Sequence, residues 1–319
     1  MDNVNEIPKP RNKFKKIMHF PKKSRIRFQC FSQYYTELIF IHGRRYGSML
    51  DELQKGSLHN AAEIFSGLKN HAAIGSVMSG LTDSKVFVDN RDAPGCALTW
   101  TKSRIYLSGE LGGEEVQRAA ETIGEKIKRE SIGRGAKHFI IYPDTKTPLK
   151  GMFRLLDGVK AHSGTRNYYE LDARAREWGA ASLDGFRLEA IDRRFLKSPY
   201  CNLDKVREEM CSERASVEEF LEKSLGICGV TEDEVASWCM SEYNHGDRYE
   251  IGIATVEKHR RKGLATATGD ALMKLCLGRG FSRVGWHCWQ RNTPSNRTAS
   301  KLGFRLVESY PVYVLEVEG

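Results

Sequence analysis

Residues 255–268 read T-V-E-K-H-R-R-K-G-L-A-T-A-T, and the fold is decided there. The apolar, β-branched run from Ile251 to Val256 leads into this stretch as a strand. A basic cluster, His259 to Lys262, follows at once. From Gly263 onward Leu264, Ala267, Ala271, Leu272 and Leu275 recur at helical spacing. Strand, tight basic loop and helix start therefore succeed one another within a few residues. The first turn of a helix has N–H groups without intrahelical partners and the positive end of the dipole, which suits an anion such as a phosphate. A glycine there lets the backbone approach the anion closely and adopt a positive φ. The same spacing fits an ordinary strand-to-helix connection with solvated arginines, and spacing alone leaves both readings open.

Working outward, the chain of 319 residues, 40% hydrophobic and 29% charged, has the composition of a globular protein with room for two domains. No stretch approaches the roughly 20 apolar residues that span a bilayer, so the expectation is a cytoplasmic protein with no membrane partner. The net charge of +9 is unevenly placed. Residues 1–48 hold eleven Lys and Arg against three acids, a net +8, whereas the other 271 residues are balanced to within one charge. Residues 1–48 read as a basic, disordered extension, and contact with nucleic acid is expected nowhere else. Eight cysteines form no C-x-x-C and sit at no zinc-ligand spacing with histidines, so they read as reduced thiols and no metal is expected.

Residues 49–80 read as helical, with Leu50, Leu53, Leu58, Ile64, Phe65 and Leu68 apolar and glycines interrupting the pattern. Strands are expected at Lys85–Asp89, Cys96–Thr101, Arg104–Ser108, His138–Tyr142 and Arg166–Leu171, with helices at Glu114–Arg129 and Lys150–Gly158. This makes 49–180 an α+β domain. From Phe186 onward the order is β-α-α-β-β-β-α-β-α-β-β, including a capping box at Ser216-x-x-Glu219 and a hairpin turning at Thr231 to Asp233. A second α+β domain therefore spans 186–319.

Arg260-x-x-Gly263-x-Ala265 resembles the acyl-CoA signature of the GCN5-related N-acetyltransferase (GNAT) superfamily. Asn292-x-x-Ser295-x-Arg297 with Lys301-Leu302-Gly303-Phe304, about thirty residues later, resembles the segment that closes many of its members. Over roughly residues 50–319 the chain resembles a bacterial two-domain GNAT family with a divergent N-terminal half. The resemblance implies a C-terminal GNAT fold, a mixed central sheet flanked by helices. The first half becomes a degenerate copy, since Gly109 to Glu115 is acidic where a diphosphate loop would be basic.

The resemblance also implies acetyl-CoA as acyl donor and an amine of a small molecule or peptide as acceptor, joined by direct transfer in a ternary complex. The diphosphate falls to Arg260, Arg261, Lys262, Gly263, Leu264, Ala265 and Thr266. The pantetheine arm would lie along Ile253, Ala254 and Thr255, with a backbone N–H near Ile253 polarising the thioester. Asn292 and Ser295 are further contacts, although both also fit as helix caps.

Glu250, which alternates with Gly252 and Ala254, is the candidate base, and a carboxylate at the strand's solvated edge fits equally. Glu242, His245 and Tyr249 are weaker candidates. His287 reads as a packed core histidine. The tyrosine that many relatives use to protonate the departing thiolate is replaced by Ala299, which leaves Tyr310 as candidate acid, Tyr313 beside it, or no acid at all. A catalytically silent acyl-CoA-binding module is the alternative reading. Acceptor identity and oligomeric state are not legible.

Overall fold

The computed structural model describes residues 49–179 and 183–318; the basic extension, residues 1–48, lies outside them. One sheet runs through the whole described chain. Its first part comprises β1 (Asp51–Glu52), α1 (Ala72–Met78), β2 (Val86–Val88), β3 (Cys96–Thr101), β4 (Arg104–Gly109), α2 (Gly113–Arg134), β5 (His138–Asp144), α3 (Lys150–Phe153) and β6 (Val159–Asp172). Its second part comprises β7 (Arg187–Ala190), α4 (Leu203–Glu213), α5 (Val217–Lys223), β8 (Gly226–Val230), β9 (Val235–His245), β10 (Arg248–Thr255), α6 (Leu264–Leu277), β11 (Arg283–Trp289), α7 (Thr293–Lys301) and β12 (Arg305–Val317). The strand order is β1-β2-β3-β4-β5-β12-β6-β11-β10-β9-β8-β7. The architecture is α+β, as the alternation of patterns predicts.

The two parts repeat one motif. In each, an antiparallel meander (β2-β3-β4 and β8-β9-β10) leads through a helix (α2 or α6) to a strand parallel to the meander's last one: β4 with β5, and β10 with β11. The parts then exchange their long strands. β6 pairs antiparallel with β11 of the second part, and β12 pairs antiparallel with β5 of the first. β6 and β12 also pair with each other over nearly their whole lengths.

Residues 49–80 depart from the expected helix. They form β1, two 3-10 turns (Lys55–Ala61 and Ile64–Leu68) and the short α1. Dense glycine and close packing against the sheet explain the break. A Cβ on Gly67 would overlap the Asp144 carboxylate, and one on Gly75 would stand 2.5 Å from the His245 ring. These segments bury Leu58, Phe65, Ile74 and Val77 against Tyr106, Tyr142 and Tyr243. The opposite face of the second part is covered by α6 and α7, with Leu272, Met273, Ala299 and Leu302 packed on Ile251, Val284 and Trp286. Half of the capping box holds: Ser216 Oγ accepts from Glu219 N at 3.1 Å, while Glu219 Oε2 reaches one residue further back and accepts from Ala215 N at 2.6 Å. Among the described residues no helix is long and apolar enough to cross a membrane.

Candidate active site

β10 and β11 are hydrogen-bonded only from Arg248↔Arg283 to Glu250↔Gly285. Beyond that point β10 continues along β9, whereas β11 continues along β6, so the two parallel strands part in a V with Glu250 at its apex. A bulge sits at the same place. Glu242 and Tyr243 of β9 both lie opposite Glu250, because the register shifts between Tyr249↔Asn244 and Ile251↔Ser241. Bulges re-aim side chains and interrupt pairing, which is how a buried strand comes to offer free edge groups. Ile253, Ala254 and Thr255 line the β10 arm of the V and are partly exposed.

At the open end of that arm the chain enters the basic loop. Gly263 caps α6 with φ +83°, and Arg261 is also left-handed at φ +64°. Among the described residues no side chain caps this helix, and Ala267 makes the bond back to the Gly263 carbonyl. The N–H groups ahead of Ala267 therefore have no partner one helical turn back. Arg260, Arg261 and Lys262 are exposed around them, while Leu264 is buried and anchors the turn. Alternating handedness with uncapped amides makes a concave anion cradle. Buried His259 fixes the loop from behind: its Nε2 bonds Glu234 Oε1 at 2.8 Å.

Behind the apex lies a buried polar cluster drawn from both halves. Glu250 Oε1 accepts from the backbone N–H of Ala72 and lies 3.3 Å from His287 Nε2. His287 Nδ1 is 2.7 Å from the Tyr310 hydroxyl, so Glu250 and Tyr310, sixty residues apart, meet through one imidazole. The His287 side chain is only 6% exposed, as expected of a core histidine, but it is a polar link rather than packing material. His71, from the N-terminus of α1, stacks flat on His287 with centroids 4.6 Å apart and planes 7° apart. Burial by itself would raise the Glu250 carboxyl, but the neighbouring His287, then His71 and Arg104, outweigh it and hold the group down to about 2. His71 is pushed well below the ordinary imidazole range, first by burial and then by His287. Tyr310 is pushed up, chiefly by burial, and keeps its proton. Glu250 Oε2 is buried and takes no hydrogen bond among the described residues. A buried carboxylate oxygen without a donor is costly, and its presence at the apex marks a place for a ligand's N–H.

The donor atoms of His71, Glu250 and His287 lie within 4.8 Å of one another, a spacing that a divalent cation tolerates. The stacked imidazoles argue against such a site. Their in-plane lone pairs run side by side instead of converging on one point, and His287 Nε2 already faces Glu250 and the Asn70 carbonyl at 3.2 Å.

The other candidates are placed differently. Glu242 pairs with Arg104 at 2.7 Å, His245 packs against Gly75, and Tyr249 turns to the opposite face, where its hydroxyl meets Met273 Sδ at 3.2 Å. Asn292 Oδ1 caps α7 by accepting from Ser295 N, and Ser295 Oγ accepts from Trp286 Nε1 at 3.0 Å. Ala299 is fully buried on the inner face of α7, in the apolar layer with Leu302. His71 was not among the sequence candidates. Its segment reads as a plain helix, and its partner Glu250 is 179 residues away.

A sheet split by a V whose open arm ends in an uncapped, basic helix start is the architecture of an acyltransferase that grips its donor by a phosphate-bearing tail. Comparison with known proteins gives the family. The GNAT acetyltransferase family model matches residues 62–313, and the chain belongs to that family. Its members generally take acetyl-CoA as acyl donor. The chain is 23% identical over 268 residues to the uncharacterized N-acetyltransferase YdfB of Bacillus subtilis, covering 83% of this chain and 98% of that protein. A GCN5-related N-acetyltransferase-like protein from Streptococcus suis shares the fold with a TM-score of 0.58 at 21% identity, over 81% of this chain and 98% of that one. A tandem GNAT protein from the clavulanic acid biosynthesis pathway, determined without AcCoA, shares it with a TM-score of 0.51 at 11% identity, over 85% and 98%.

Proposed function

We propose that this protein is an acetyl-CoA-dependent N-acetyltransferase of the cytoplasm that moves an acetyl group directly to a primary amine in a ternary complex. The observation that carries the reading is the buried, undonated Glu250 Oε2 at the apex of the V, at the head of the strand that runs down to the Gly263 cradle. Arg260 to Thr266 would hold the diphosphate, and Ile253 to Thr255 would hold the pantetheine arm and supply an N–H to the thioester carbonyl. From Glu250 to Thr255 the strand spans about 17 Å, a reach suited to an extended arm.

The chemistry divides between 186–319, which holds the donor, and 49–180, which supplies His71. Attack by the amine nitrogen on the thioester carbon gives a tetrahedral adduct whose nitrogen is far more acidic than a free ammonium. Glu250, ionised throughout the physiological range, takes that proton, and the C–S bond breaks to release CoA thiolate. His287 keeps the carboxylate oriented and links it to Tyr310, so the proton taken by Glu250 passes through the imidazole to the phenol oxygen as the hydroxyl proton goes to the thiolate. The buried Ala299 favours one rival, a silent acyl-CoA-binding module, since no tyrosine stands at that position.

Thiol release from acetyl-CoA with a panel of amines, alongside CoA titration, separates the two. Release with at least one amine, lost in Glu250→Gln, supports transfer. Tight CoA binding with no release from any amine supports the silent module.

A further inference from the structure

A cleft of about 850 Å³ opens between the 3-10 turn after β1, the β3–β4 turn and the α4–α5 junction. Glu213 and Arg214 form its inner wall. From Glu213 a chain of contacts leads to the strand that bears the apex. Arg104 Nη2 lies 2.7 Å from both Glu213 and Glu242, and Glu242 leans over Gly252, two residues from Glu250 on β10. A Cβ on Gly252 would stand 2.5 Å from Glu242 Oε1, so glycine there is what lets the carboxylate lie against the strand.

The charges of this cleft are mostly spoken for. Glu52 is paired with Lys85, Asp83 with Lys55, Glu219 with Lys223 and Glu213 with Arg104. Arg214 differs. Only 3% of it is exposed, its Nε donates to Ser224 Oγ at 2.8 Å, and its guanidinium sits 5.7 Å from the centroid of the Tyr243 ring. Glu219, Glu213 and Glu242 act on it only from beyond ion-pair distance among the described residues, and burial outweighs them. A buried guanidinium is held that way at a cost unless an anion joins it. With Nε committed, the Nη edge presents two parallel N–H donors, the fork that matches a planar carboxylate.

We infer that this cleft is the acceptor site and that the acceptor is an amine bearing a carboxylate, such as an amino acid, which Arg214 grips through its Nη edge while the amine points toward Glu250. The inference rests on the acyl-transfer reading above. No bond changes at Arg214; it is a specificity determinant.

The test uses the full chain, acetyl-CoA, and matched amine pairs: amino acids and their decarboxylated counterparts. The expected result is a preference of about 10- to 100-fold in kcat/KM for at least one carboxylated member over its partner, the range of a charge-assisted hydrogen-bond pair. In Arg214→Met that preference collapses toward one, and in Arg214→Lys, which keeps the charge without the fork, it is partly restored. Acetyl-CoA affinity, measured by titration, reports that each variant is folded. Equal or better turnover of the decarboxylated amines overturns the carboxylate assignment while leaving acyl transfer standing. A preference that survives Arg214→Met overturns the role of Arg214. Tight CoA binding with no thiol release from any pair overturns both readings together.

Discussion

Gly263→Ala separates strain in the loop from a role in holding the donor. At φ +83° an L-residue pays about 1–2 kcal/mol for the left-handed conformation. Part of this, about 0.4–1 kcal/mol, is offset because alanine narrows the unfolded chain. Among the described residues no atom resists the new methyl, since the nearest is Leu183 Cδ2 at 3.6 Å, an ordinary contact. The net loss of stability is therefore about 1 kcal/mol, a fall in Tm of about 2–4 °C. Affinity for CoA should suffer more. The methyl occupies the space through which phosphate oxygens approach the N–H groups of Gly263 and Leu264, so Kd should rise at least about tenfold, equivalent to about 1.4 kcal/mol. Thermal unfolding and CoA titration on the same preparation read the two effects. A Kd within about twofold of wild type, alongside the expected fall in Tm, would refute the cradle: the loop would be strained but not a phosphate site.

Glu250→Gln should lower kcat by about 10²- to 10⁴-fold, as loss of a proton acceptor does, with CoA affinity unchanged in titration. The same substitution should flatten the acid limb of stability. The folded carboxyl titrates at about 2 against an ordinary 4.5, so wild type loses about 3 kcal/mol as pH falls through that window. Urea midpoints at pH 6 and pH 3.5 should differ less in the variant. His71→Phe keeps the stack on His287 but cannot take a proton. Because burial holds the His71 imidazole below its ordinary range, unfolding takes up a proton as pH falls below 6.5, and the variant should resist unfolding at pH 5 better than wild type. Tyr310→Phe removes the hydrogen bond to His287 Nδ1. A fall in kcat without a change in CoA affinity is expected, and unaltered kcat would remove Tyr310 from the proton path.

What could be read from the sequence was local. The strand–loop–helix junction at Gly263, the caps at Ser216 and Asn292, and the alternation that puts Glu250 and Gly252 on one face all follow from spacings of a few residues. His287 was legible as buried, but its partners were not, because they arise from the parallel register Glu250↔Gly285, which sets His287 two residues up the neighbouring strand on the same face. His71 had no local signal. It is delivered by the packing of α1 onto the sheet, in a segment whose leucines suggested one helix and whose glycines instead produced short turns. The exchange of β6 and β12 was equally hidden, since each strand looks ordinary and only its partner is unusual. Arg214 has no local signal either, because its burial comes from Ser224 and Tyr243, ten and twenty-nine residues further on.

That exchange has a consequence for how the protein is made. β12 lies between β5 and β6, so a nascent chain emerging from the ribosome leaves the first part with two open strand edges until Arg305–Val317 is synthesised. The sheet is closed by its last-made strand. Open edges recruit other strands, so the interval before closure is when this chain is most exposed to mispairing and to chaperone capture. The first part thus waits on translation of the second, and a ribosome stalled anywhere before Arg305 would hold an unfinished sheet rather than one complete domain and one missing.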